Sequence, residues 1–75
     1  MQVSTHALIQ RINRKLKEDN EQLKTTRGWR AKLDLGTYYI QDFNRNWIVH
    51  HHVDPETVGR ELGVLESWET VTEEN

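Results

Sequence analysis

The chain has 75 residues, 10 basic and 12 acidic, with four His and no Cys, for a formal net charge of −2. That length admits one domain, residues 1–75, and excludes a doubly wound nucleotide-binding fold or a barrel, while the missing Cys exclude a disulfide scaffold and a four-Cys zinc module. Hydrophobic residues make up 35%, below the usual share of about 45–50%, so a core this small is expected to need a partner surface, and a homodimer would supply one.

No apolar stretch approaches the about 20 residues that span a bilayer. Residues 1–6 hold no basic patch followed by a long apolar run, so neither a membrane partner nor a signal peptide is expected. A reducing, cytoplasmic location is the expectation. Charge is divided along the chain. Residues 1–32 hold eight basic and three acidic side chains, and residues 33–75 hold two basic and nine acidic ones. A near-neutral total therefore hides a basic half and an acidic half.

The first predicted element is a helix. Ser4 or Thr5 can cap it, and Leu8, Ile12 and Leu16 follow at i, i+4, i+8 to make one apolar stripe. Arg11, Asn13, Arg14 and Lys17 fall on the remaining surface, and the helix is expected to end near Lys17. Residues 22–26 read as a short strand, with Leu23 followed by Thr25 and Thr26. Residues 28–36 read as a loop that packs down through Trp29, Leu33 and Leu35.

A hairpin is predicted over residues 37–53. Tyr38, Tyr39, Ile40 and Phe43, then Trp47, Ile48 and Val49, favour strands, and Asn44-Arg45-Asn46 between them favours a turn. With Asn44-Arg45 as the turn, Asp42 faces Trp47, Ile40 faces Val49 and Tyr38 faces His51. Tyr38, Ile40, Trp47, Val49 and Val53 then form the core face. Tyr39, Phe43, Ile48, His50 and His52 form the other.

A short C-terminal helix follows. Asp54 caps it, Pro55 takes its first position, Val58 and Leu62 give it an apolar side, and Gly63 stops it. Residues 69–75 are acidic and expected to fray. The predicted fold class is α+β: a helix, an antiparallel sheet of two or three strands and a short helix in two layers, both helices on one sheet face.

Few motifs carry chemistry. His50 and His52 point the same way along a strand, but two imidazoles are too few ligands for zinc, and no metal or other cofactor is expected. Asp42-x-Asn44-x-Asn46 begins like a calcium loop, but Trp47 stands where Gly is required and Val53 where Glu is required. Gly59-Arg60-Glu61-Leu62-Gly63-Val64 looks like the middle of a helix-turn-helix. Four acids in the nine residues 66–74 would be repelled by phosphates in the groove-reading helix. With no nucleophile elbow, phosphate loop or Cys, neither an enzyme nor a small-molecule substrate is expected.

Two surfaces remain. Tyr39, Phe43, Ile48 and His50 form an aromatic, apolar sheet face that a two-layer fold leaves wet, the mark of a contact with another protein or a second copy. Arg11, Arg14, Lys15, Arg27, Trp29 and Arg30 interleave cations with an aromatic ring and suit nucleic acid. The first points to a non-catalytic interaction or regulatory module, homodimeric in the leading reading. The second is the alternative.

Leu35-Gly-Thr-Tyr-Tyr-Ile, Asn44-Arg-Asn46, and His52-Val-Asp-Pro with Gly59-Arg-Glu-Leu-Gly-Val-Leu65 together resemble short, uncharacterised bacterial proteins carried on genomes and mobile elements. The resemblance covers about half of the chain. It implies a bacterial cytoplasmic setting and carries no functional residues.

Overall fold

A computed structural model describes residues 1–72. The elements are β1 (Gln2–Ser4), α1 (Thr5–Leu16), β2 (Glu21–Thr25), α2 (Trp29–Leu35), β3 (Tyr38–Asp42), β4 (Trp47–His50), α3 (Pro55–Glu61) and β5 (Thr70–Thr72). A 3-10 turn at Lys17–Asp19 prolongs α1. The strands form an antiparallel sheet in the order β2-β3-β4 and a separate parallel pair, β1-β5. The fold is α+β, and its shortest extent of 15 Å is shallow.

Helix α1 organises the core. Ser4 is extended and its hydroxyl accepts from the Ala7 amide at 3.1 Å, capping the first turn. The stripe of Leu8, Ile12 and Leu16 is buried, as the spacing predicts. It meets Leu23 of β2, Ile40 of β3, Val3 of β1 and Leu65. Leu23 and Ile40 are cross-strand partners, so α1 sits over the β2-β3 half of the sheet.

That placement corrects the hairpin faces. Asp42 pairs with Trp47 and Gln41 with Ile48, the expected register, but a bulge then sets His50 rather than Val49 opposite Ile40. His50 therefore leaves the face of Tyr39 and Ile48. Trp47 and Val49, expected in the core, are 54% and 36% exposed. Every residue of β4 is exposed, because the apolar stripe of α1 is used up on β2 and β3. Phe43 stands in the loop between β3 and β4, and its amide donates to the Asn20 carbonyl at 3.0 Å. The Asp42 carboxylate accepts from the Asn44 and Arg45 amides, and Asn46 takes a left-handed φ of 59°, which together fix the turn.

A helix replaces the loop expected at 28–36. Trp29 and Leu33, one turn apart on α2, are 69% and 70% exposed, so they do not pack down. Instead the excursion is closed at its base. The buried Thr26 donates through its hydroxyl to the Gly36 carbonyl at 2.8 Å, and its amide bonds the Thr37 carbonyl at 2.9 Å. Gly36 has φ +79°, and a Cβ there would lie 2.8 Å from the His52 backbone. Only glycine meets both demands.

The second predicted helix is α3. Asp54 caps it, accepting from the Glu56 amide and the Thr57 hydroxyl, and Gly63 at φ +75° lies just beyond its end. It packs on α1 rather than on the sheet: a Cβ on Gly59 would come within 2.8 Å of the Leu8 side chain, so glycine allows the close approach. Strands β1 and β5, too short to read in advance, flank α1 as well.

The frayed tail predicted from residue 69 is also corrected. Glu69 is buried, and Thr70–Thr72 pair with Gln2–Ser4. The Thr70 amide bonds the Met1 carbonyl at 2.9 Å, and the N-terminal amine bonds the Trp68 carbonyl at 3.2 Å. Residues 73–75 of that expectation lie outside the described residues. Among the described residues, no helix is long and apolar enough to cross a membrane.

Candidate functional site

The three-stranded sheet has two edges, and the chain treats them differently. On the β2 edge, Asn13 of α1 reaches the middle of the strand. Its carbonyl oxygen accepts from the Leu23 amide at 2.7 Å, and its amide nitrogen donates to the Leu23 carbonyl at 3.3 Å. One side chain thus occupies both outward backbone groups of Leu23 and interrupts, at its midpoint, the row that a further strand would use.

On the β4 edge, no side chain or loop among the described residues hydrogen-bonds Trp47, Ile48, Val49 or His50 from outside. The strand is neither charged nor interrupted by proline, and its three apolar residues are exposed. Phe43, 49% exposed, extends the apolar area at the turn. The Arg45 guanidinium lies 5.2 Å from the Trp47 ring centroid and flanks that end of the strand.

The expected contact face is therefore only partly assembled. Phe43 and Ile48 are exposed beside the open edge. Tyr39, half-buried, pairs with Lys24 and lines a groove between β2 and α2. His50 is exposed and sits across from Ile40.

The expected basic set also divides. Arg11, Arg14 and Lys15 lie along a groove that they share with Glu18, Glu66 and Glu69. Arg11 bonds both Glu69 carboxylate oxygens, at 3.0 and 3.1 Å, and the Val64 carbonyl at 3.2 Å. Lys15 pairs with Glu18 at 3.3 Å. Glu69 of the acidic half thus neutralises Arg11 and the neighbouring Glu18 neutralises Lys15, while Arg14 makes no ion pair among the described residues. Arg27 lines the other groove. Trp29 and Arg30 lie on the first turn of α2, outside its lining, with the Arg30 guanidinium 5.3 Å from the Trp29 ring centroid.

Glu69 is the hub of the 64–69 loop. Its carboxylate accepts from the Glu66 amide at 2.9 Å as well as from Arg11, and Arg60 donates to the Glu66 and Glu69 carbonyls. The Glu66 amide bond, followed by the Arg11 guanidinium, holds the Glu69 carboxyl below the usual carboxylate range. Neither Asn13 nor Glu69 stands out in the sequence. A polar residue at a helix position beside the apolar stripe reads as solvent-facing, and a glutamate in an acidic tail reads as solvated.

The histidines do not gather into a ligand set. The His51 and His52 rings meet edge to face with centroids 5.0 Å apart, and His52 is turned by a φ of 54° against Gly36. Among the described residues, no three His, Asp or Glu side chains come together as metal ligands would.

Comparison with known proteins finds no matching family model, no matching curated protein and no matching solved structure.

Proposed function

We propose that the chain is a non-catalytic association module that pairs with a second copy of itself along β4. The open edge carries this reading: four consecutive exposed residues, three of them apolar, bear backbone groups that nothing described bonds from outside. An added strand would satisfy those groups and bury Trp47, Ile48 and Val49. A second copy fits for a reason of symmetry. Two antiparallel β4 strands related by a two-fold present the same surface to each other. The paired sheets would form one continuous sheet, with Asn13 closing the far edge in each copy. The absence of Cys and the resemblance to short bacterial proteins support a bacterial cytoplasmic setting.

Sedimentation velocity over a wide range of protein concentration tests the proposal. Wild type is expected to pass from one copy to two as concentration rises. Ile48→Lys, a charge placed on the outward strand, is expected to stay at one copy. A wild-type chain that stays at one copy throughout, or an Ile48→Lys variant that pairs as tightly as wild type, overturns it.

A further inference from the structure

The groove between β2 and α2 is separate from the open edge, and its chemistry is different. Gln22, Lys24, Arg27 and Tyr39 line it, with Ala31 and Leu35 of α2 as its apolar wall. Its charged side chains are all cationic. Residues 22–32 carry Lys24, Arg27, Arg30 and Lys32 and no acid. Among the described residues, none of these four makes an ion pair, whereas Arg11, Lys15 and Arg60 all do. Four of the cations that make no ion pair among the described residues are thus gathered on one strand, the turn after it and α2, while Arg14, Lys17 and Arg45 lie elsewhere.

Aromatic rings stand among them. Tyr39 is the cross-strand partner of Lys24 and half-buried. Trp29 is 69% exposed, with the Arg30 guanidinium 5.3 Å from its ring centroid. A large ring held in water beside a planar cation is costly to leave uncovered, and a flat anionic partner would relieve both. We infer that this groove, together with the exposed first turn of α2, binds single-stranded nucleic acid. Lys24, Arg27 and Arg30 would contact phosphates while Trp29 and Tyr39 stack on bases. Unpaired strands suit the site because their bases are free to stack, whereas a duplex offers phosphates alone. The inference is independent of pairing through β4, since none of its residues lies on that strand.

Fluorescence anisotropy with a labelled oligothymidylate of about 15 nucleotides and a duplex of the same length tests it. Wild type is expected to bind the single strand at low salt with quenching of tryptophan emission. Three phosphate contacts predict a slope near −2 in log affinity against log salt, a weakening of about 20-fold between about 50 and 200 mM salt. The Lys24→Gln, Arg27→Gln, Arg30→Gln triple variant is expected to lose binding while keeping its circular dichroism spectrum. Arg27→Gln alone should lower the slope by about 0.7, which carries the same test with one exposed side chain. Trp29→Ala should weaken binding about tenfold, and Arg14→Gln, on the groove that also holds Glu18, Glu66 and Glu69, should leave it unchanged. The inference is overturned by no anisotropy change at low salt, by equal affinity for the duplex, or by binding that survives in the triple variant.

Discussion

Strands β2 and β4 are both outer strands of one sheet, yet Asn13 bonds both backbone groups of Leu23 while nothing described bonds β4 from outside. The difference follows from where α1 lies. A helix laid over the β2-β3 half can drop a polar side chain over the near edge and cannot reach the far one. The same helix leaves β4 without apolar cover, so exposed backbone and exposed apolar surface coincide on one strand. A protected edge and a reactive edge therefore come from a single packing decision.

The largest expected effect comes from removing what seats α1. Leu8 is fully buried and lies against Gly59. Leu8→Ala is expected to cost about 2–5 kcal/mol in urea denaturation, and the contrast between the edges should vanish with the platform. Asn13→Ala is next. It strips the Leu23 amide and carbonyl of their partner in a part-buried setting, which costs about 1–3 kcal/mol. It also opens the second edge, so light scattering should show species larger than two copies; an unchanged mass would break the comparison.

Acid should act on the same side of the molecule. The Glu69 carboxyl is held low by the Glu66 amide and the Arg11 guanidinium. Its contribution is complete above the ordinary carboxylate range and is lost as pH falls through the lowered value. Thermal midpoints of wild type should therefore drop in acid more than those of Glu69→Gln, which lacks that titration. The smallest effect on the single copy is expected at the open edge. Ile48→Lys, at an exposed position, should change stability by less than about 0.5 kcal/mol when measured at protein concentrations too low for pairing. A large loss would mean that β4 is part of the core after all.

The sequence displays elements whose cause is local. The i, i+4, i+8 stripe marks α1, the asparagine-rich turn marks the hairpin, and Asp54-Pro55 with Gly63 frames α3. What it hides depends on distant partners. β1 and β5 are three residues each and exist through pairing across almost the whole chain. The bulge at Val49 and the exposure of Trp47 follow from which strands α1 covers. On the surfaces, exposed Phe43 and Ile48 are legible from alternation, and Arg27, Trp29 and Arg30 from charge. Lys24 and Tyr39 come together only once β2 pairs with β3, and Arg11 leaves the basic set only once Glu69 is seen to fold back.

The Thr26 and Gly36 contacts at the base of the α2 excursion have a consequence for how this chain can change. A lobe with no buried residue of its own, closed by Thr26 and Gly36 and tied to His52 through the Leu35 carbonyl, can open while the rest stays shut. Its amides should then exchange with solvent by local opening long before those of α1 do. It is a cassette: its length and side chains can be exchanged without disturbing Leu8, Ile12 or Leu23, and different versions could give one scaffold different tastes in what it holds.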